Sequence, residues 1–416
     1  EDEVAKRILD TGSRIIGFTS TTPLFRWTMN IIRTLRKNRK DLIILMGGPH
    51  PSMMPDKILE TGLVDIVVRG EGENTIKELH QYFTNGKLSL NDIRSISHIT
   101  DGKIIHNPER PLIENLDELP FPSWDLLPIE KYHSVARNRL SLPIMTSRGC
   151  PFNCVFCYKG IYGRRYRTRS PENIIKEIKY LRDRYGIQEM TILDDNFTLN
   201  VKRVMDICDR IVREKLVLPW STPNGIRANP ATLELFEKMK AAGCYRIYVG
   251  IESGDERVLE FIDKGITLEE VKAIFSLAKQ AGLETVAMFM IGNLTETEET
   301  IDKTINLSIK LDPDLAQFTI TTPYPGTKMH ETILREGKLY LDSWENFNSC
   351  GGAIFEHGEL TVPLLNRKYK EAYRRFYLRP YYILKRLKKM TSYGEIKSSV
   401  EAVFVLLKML GKKPTD

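Results

Sequence analysis

Two runs of short apolar segments alternating with helical patterns, parted by a proline-rich stretch, predict an α/β chain. The first run predicts a partial doubly wound, Rossmann-like domain. The second, with six β/α steps, predicts a partial (β/α)6 barrel of the TIM type, and a mostly helical region follows. At 416 residues, 42% hydrophobic and 28% charged, the chain has globular usage and room for more than one core, which excludes a disordered or collagen-like polymer. The expected division is residues 1–90, a hairpin and linker at 91–135, the barrel at 136–330 and a basic helical region at 331–416. No stretch of 18 apolar residues predicts a spanning helix.

Residues 14–20 (RIIGFTS), 42–48 (LIILMGG) and 64–70 (VDIVVRG) read as buried parallel strands, with helices over 25–38, 55–61 and 74–83. Three strands are few for such a sheet, and about two further β/α units are expected ahead of Glu1. Residues 96–108 read as a hairpin closed at Asp101-Gly102. Pro108, Pro111, Pro120, Pro122 and Pro128 then mark an extended linker.

The barrel strands are expected at 142–147, 189–195, 219–226, 244–252, 284–292 and 315–321, with helices over 171–184, 200–214, 231–241, 267–281 and 296–310. Ser170-Pro171-Glu172 is a helix start, and Gly186, Gly243 and Gly282 stand where helix C-caps belong. Barrel active sites lie at the C-terminal ends of the strands. The polar clusters SRGC, LDDN, PNGIR, GIESG and IGN fall at those ends.

The net charge of +7 is local: residues 367–389 carry +9, leaving −2 for the rest. Tyrosines interleave those cations. The segment reads first as helices that pack aromatics and leave cations in water. Contact with an anionic membrane surface is the second reading, and no strong nucleic-acid signal accompanies it.

Three of the six cysteines, Cys150, Cys154 and Cys157, fall in SRGCPFNCVFC directly after the first barrel strand. So few cysteines suit a reduced, cytoplasmic protein with one metal site. Three thiolates on a short loop can each hold one iron of a [4Fe–4S] cluster, leaving the fourth iron open to a ligand. A zinc knuckle is the alternative, but no nearby His or Cys supplies its fourth ligand.

Cys150-x-x-x-Cys154-x-x-Cys157, with Phe156 before the last cysteine, resembles the signature of the radical S-adenosylmethionine (SAM) superfamily. That resemblance implies that Cys150, Cys154 and Cys157 are the metal ligands and catalytic centre. The reduced cluster would split SAM into methionine and a 5′-deoxyadenosyl radical, with a low-potential electron donor of the ferredoxin or flavodoxin type as partner. It further implies a SAM pocket at the other strand ends. Asp194 or Asp195 would accept from the amino group, unless Asp195 or Asn196 is a helix N-cap. Arg227 would pair with the SAM carboxylate, unless it forms a surface salt bridge. Glu252 and Ser253 lie at the ribose element, Gly292 on the adenine side, and Phe156 and Tyr158 beside the adenine.

Ser20 in GFTST, Gly47-Gly48, the following PHPSMMP and RGEGE (69–73) are similar to the cobalamin-binding domain that often precedes such a barrel. Ser20, Gly47 and Gly48 are the expected cobalamin contacts, and His50 reads as a solvated loop residue rather than a cobalt ligand. Tyr324 in TTPYPGT could face substrate, and Cys350 reads as an inert thiol. Together the resemblances imply a cobalamin-dependent methyltransferase acting on an unactivated carbon or phosphorus centre of a small-molecule or lipid-like substrate. A same-family enzyme of ring closure, oxidation or rearrangement is the alternative, and a non-catalytic metal-binding scaffold is the alternative from another class.

Overall fold

The computed structural model describes residues 1–86, 88–134, 137, 139–340, 344–348 and 351–389. Cys350 and the stretch 390–416 of the basic C-terminal region lie outside the described residues. The chain divides into two compact units: Glu1–Glu114 with Val155–Arg164 and Thr322–His357, and Asn115–Cys154 with Arg165–Thr321 and Gly358–Asp416.

In the first unit, helix α1 (Asp2–Asp10), absent from the sequence expectation, precedes β1 (Ile15–Thr19). Helix α2 (Phe25–Asn38) follows, then β2 (Ile43–Gly47), the one-turn helices α3 (Pro49–Met53) and α4 (Pro55–Leu59), β3 (Ile66–Val68) and α5 (Glu73–Asn85). PHPSM, expected as loop, is helical because Pro49 supplies a pre-set φ at the first position, where no N–H is needed. Strands β1, β2 and β3 are parallel, as their continuous apolar runs predict. Ile31, Ile32, Leu35, Ile44, Met46, Ile58, Leu59 and Val67 form the core beneath them.

The hairpin of β4 (Ile96–Thr100) and β5 (Lys103–His106) is no separate flap. It pairs antiparallel with β3 and extends the sheet to five strands in the order β1-β2-β3-β4-β5. Asp101 and Gly102 both have positive φ (49° and 74°), the two-residue turn that matches strand twist.

The second unit holds β6 (Ser141–Ile144), β7 (Ser147–Arg148), β8 (Arg167–Thr168) and α6 (Pro171–Tyr185), then β9 (Glu189–Ile192), α7 (Val201–Arg213), β10 (Trp220–Ile226) and α8 (Leu233–Ala241). It continues with β11 (Cys244–Glu252), α9 (Glu256–Phe261), α10 (Leu268–Gln280), β12 (Glu284–Ile291), α11 (Glu298–Leu311) and β13 (Leu315–Ile320). Six strands form one parallel sheet in the order β13-β12-β11-β10-β9-β6. Because β6 and β13 are its edges, the barrel is open. Ser170 caps α6 by accepting from the Asn173 N–H, and Gly186 ends it in the left-handed region.

Beyond it lie α12 (Lys328–Glu336) and the ribbon of β14 (Lys338–Leu339) with β15 (Phe355–Glu356), all in the first unit. Helices α13 (Val362–Tyr377) and α14 (Pro380–Lys389) belong to the second. In α13 and α14 the aromatics do pack. Tyr369, Phe376 and Tyr382 are buried, whereas Tyr381, Ile383, Leu384 and Leu387 of α14 are exposed. No helix among the described residues is long and apolar enough to cross a membrane.

Candidate active site

The cysteine loop leaves the sheet after β6. Ser147–Arg148 and Arg167–Thr168 pair antiparallel and close its base, and Gly149 turns the chain at φ +82°, a conformation open to glycine at little cost. Cys150 and Cys154 are buried, Cys157 is exposed, and all three are free of disulfides. Among the described residues no three His, Cys, Asp or Glu side chains converge on a point where one metal ion would sit. Cluster ligands need not converge so, since each thiolate takes a different iron.

Asp194, expected to meet an amine, is spent within the chain. Its Oδ1 accepts from the Thr146 N–H at 2.6 Å, and its Oδ2 from the Thr146 and Ser147 hydroxyls at 2.5 Å each. Burial raises its pKa, those donors opposing the rise. Asp194 thus ties the end of β9 to the stem of the cysteine loop. Asp195 is exposed, and one of its oxygens accepts from the Gly149 N–H at 3.0 Å. Neither Asp195 nor Asn196 caps a helix: Asn200 caps α7, accepting from Arg203.

Arg227, just past β10, forms no surface salt bridge with any described residue. It is buried, its guanidinium lies 3.5 Å above the Phe152 ring, and Nη1 points at the Cys154 sulfur, 3.9 Å away. Glu252 closes β11 at φ +71°, an unusual conformation for a side-chain-bearing residue. Its Oε1 accepts from the Lys264 ammonium at 2.6 Å, and both groups are buried. Ser253 is buried within 3.3 Å of the Thr304 hydroxyl, and its own hydroxyl accepts from the Asp255 N–H. Gly292 has φ +102°, and its N–H donates to Glu296 Oε2 at 2.7 Å, as does that of Asn293. Burial pushes the Glu296 carboxyl up to about 7.

Sequence reasoning missed Glu296 and the turn Asp263-Lys264-Gly265, which reaches both Glu252 and Arg227. A carboxylate four residues past a strand-ending glycine was a usable signal for the first. Nothing local marked the second, because its partners lie far away in sequence.

A shared feature joins these strand ends. Asn196 and Thr198 after β9, Arg227 Nη2 after β10, Asn293 Nδ2 and Glu296 Oε1 after β12, and the Thr321 hydroxyl after β13 are all buried polar atoms without a hydrogen-bond partner among the described residues. Such groups are costly unless something satisfies them. They fit a polar, multiply hydrogen-bonding ligand such as SAM.

In the other unit, Ser20 is buried and its hydroxyl donates to the Thr21 carbonyl. A Cβ on Gly48, at φ +95°, would stand 2.5 Å from the Thr19 hydroxyl, and one on Gly47 3.4 Å from the Val68 carbonyl. Both glycines are half-buried, and the chain's own atoms crowd the space that a Cβ on Gly48 would fill. His50 is not solvated. It is 1% exposed, its ring 4.2 Å from Phe25 and 5.0 Å from Trp344, and burial lowers its pKa to about 4. Tyr158 packs on Gly160 and Gly326, its phenol pushed up to about 12 by burial. Phe156 is half-buried. The Tyr324 hydroxyl, expected to face substrate, donates to the Phe347 carbonyl at 3.0 Å.

Residues 144–308 match the radical SAM superfamily and residues 1–80 the B12 binding domain. An uncharacterised methyltransferase of Pyrococcus horikoshii is 39% identical over 92% of this chain and 83% of its own. The chain belongs to the radical SAM superfamily. With that family and its B12 binding domain come a [4Fe–4S] cluster, SAM and cobalamin as cofactors. Two further relatives differ in chemistry. The cytidylyl-2-hydroxyethylphosphonate methyltransferase of Streptomyces wedmorensis is 28% identical, covering 87% of this chain and 73% of its own. The anaerobic magnesium-protoporphyrin IX monomethyl ester cyclase of Rubrivivax gelatinosus is 27% identical over 91% and 68%. The fold is that of the cobalamin-dependent SAM radical enzyme OxsB (TM-score 0.75, 19% identity, 98% of this chain and 65% of that one). It is also that of the methyltransferase TsrM of Kitasatospora setae (0.72, 18%, 95% and 88%).

Proposed function

We propose that this radical SAM enzyme is a cobalamin-dependent methyltransferase acting on an unactivated carbon or phosphorus centre. The observation that carries the reading is the set of buried polar atoms, unsatisfied among the described residues, at the C-terminal ends of β9, β10, β12 and β13, one of which, on Arg227, lies against Cys154 and Phe152 of the cysteine loop. In this reading Cys150, Cys154 and Cys157 hold the cluster, and Asp194 fixes the stem of their loop. Asp195 is the carboxylate left free to meet an amine. Arg227 and Asn293 offer donors, Glu252 and Ser253 shape the end of β11, and Gly292 keeps a side chain away from the ligand. Ser20, Gly47 and Gly48 present the backbone that cobalamin would approach. When bound, the cluster supplies one electron to the SAM sulfonium and cobalamin a transferable methyl group; the chain orients both and excludes water. The electron comes from a ferredoxin- or flavodoxin-type donor.

The test is anaerobic turnover of the reconstituted protein with SAM and a low-potential reductant. Release of 5′-deoxyadenosine, its loss in Cys154→Ala, and a product 14 Da heavier than substrate support the reading. The relatives named as cyclases favour the second reading, ring closure or oxidation at the same site. A product 2 Da lighter, with deoxyadenosine still formed, would select it.

A further inference from the structure

Arg227 is a buried cation that forms no ion pair with a carboxylate among the described residues. Its side chain is packed under the cysteine loop by Phe152, stacked at 3.5 Å, and by Gly265, whose missing Cβ would lie 3.4 Å from Nη2. Among the described residues the buried Nη2 has no hydrogen-bond partner, and Nη1 is directed at the Cys154 sulfur, 3.9 Å away. Two other buried cations are taken up differently: Lys264 pairs with Glu252, and Arg203 donates to the Arg169 and Thr146 carbonyls. A guanidinium cannot shed its proton, so burial without a counter-charge is strongly unfavourable. The group it faces is a thiol, which becomes an anion when it binds iron.

We propose that Arg227 is the resident counter-charge of the Cys154 thiolate, a positioning residue that makes the cluster on that thiolate easier to reduce. This rests on the reading that Cys154 is a cluster ligand. A 2+ cluster core with three thiolates carries one net negative charge, and accepting an electron makes it two. A fixed cation 3.9 Å from one ligand sulfur therefore favours the reduced form. The effect requires no bound SAM, which separates it from pairing with the SAM carboxylate.

The experiment is a redox titration of the reconstituted protein without SAM, followed by the electron paramagnetic resonance signal of the reduced cluster, with titanium(III) citrate as reductant. Arg227→Gln is expected to load iron and sulfide as the parent does and to be about tenfold harder to reduce, a drop of about 59 mV for one electron. Arg227→Lys, which keeps the charge but not the stacking plane, is expected to lose less than half of that. A potential in Arg227→Gln equal to the parent's, or one in Arg227→Lys as low as in Arg227→Gln, overturns the proposal. If Arg227→Gln fails to load a cluster, Arg227→Lys decides: loading with a potential lowered by less than about 30 mV, half of the 59 mV step, supports it, and failure to load or a larger drop overturns it. Should Cys154→Ala keep its full cluster, the underlying reading of the loop fails instead.

Discussion

The loops after β1 and β2 in the N-terminal unit and those after β9, β10, β12 and β13 in the barrel stand at equivalent ends of parallel strands, yet they satisfy their polar groups in opposite ways. In the first, the Ser20 hydroxyl, the Gly48 turn and His50 are all taken up by neighbours within the unit. In the second, donors and acceptors are buried and left open. If these loops hold cobalamin and SAM as proposed, the difference follows from the ligand each would meet. A large, flat ligand is held mainly by packed surface and backbone, which glycines provide without unsatisfied groups. A small zwitterion with a ribose must be read by hydrogen bonds, and those need donors held ready.

The sharpest way to break this comparison uses two buried titratable groups with opposite signs. Glu296 in the barrel is raised from 4.5 to about 7. The folded chain therefore binds more protons than the unfolded chain between those values, and stability falls as pH rises through that window. His50 is lowered from 6.5 to about 4. Its contribution is complete above 6.5 and is lost as pH falls toward 4. Each shift corresponds to roughly 3 kcal/mol. Hydrogen exchange read separately over residues 43–47 and 284–291 should show the barrel strand better protected at pH 5.5 than at 8, and the N-terminal strand the reverse. Glu296→Gln should flatten only the first slope and His50→Gln only the second. Parallel slopes in both units would defeat the assignment.

A smaller effect separates the paired glycines. At Gly48, alanine meets both a positive φ and the Thr19 hydroxyl at 2.5 Å, a contact at which something must shift. Gly48→Ala should cost about 2–3 kcal/mol, lowering the unfolding midpoint measured by circular dichroism. Gly47→Ala, with ordinary φ and a nearest contact of 3.4 Å, should cost under about 1 kcal/mol. Equal losses would mean that the loop relaxes, and that the Gly-Gly pair is not demanded by packing.

How much of this was legible depended on how local each signal was. The parallel strands and their helices were readable because continuous apolar runs and 3.6-residue periodicity are local consequences of burial. The six-strand sheet and the cysteine loop followed. The pairing of the hairpin with β3 was not readable, since an alternating strand does not state which edge it joins. His50 was misread because a histidine among prolines looks solvated until Phe25 and Trp344 are seen around it. Asp194 and Lys264 show the same limit. Their chemical type was plain, but their partners, Thr146 and Glu252, are set by the fold. The basic C-terminal segment was legible only in outline: its aromatics pack, but the partners of their hydroxyls could not be read.

Those partners give the smallest prediction, and they contrast the barrel's open strand ends with its sealed edge. Strand β13 is an edge, with a row of backbone groups facing away from β12. Tyr373 OH donates to the Phe318 carbonyl at 3.0 Å and accepts from its N–H at 3.3 Å. Tyr377 OH does the same to Ala316, at 2.7 and 3.1 Å, and Tyr382 OH donates to the Asp314 carbonyl at 2.9 Å. The register is geometric. Four residues of helix rise about 6 Å, and two residues of strand span about 6.6 Å, so hydroxyls at i and i+4 meet alternate strand residues. The ladder occupies backbone that would otherwise invite another strand. Tyr373→Phe or Tyr377→Phe removes only the hydroxyl and should cost about 1–2 kcal/mol each. The double variant should be destabilised further and speed amide exchange at Ala316 and Phe318, with SAM binding unchanged. Loss of SAM affinity in Tyr377→Phe, with those amides still protected, would show that the sealed edge and the open strand ends are one coupled system rather than two.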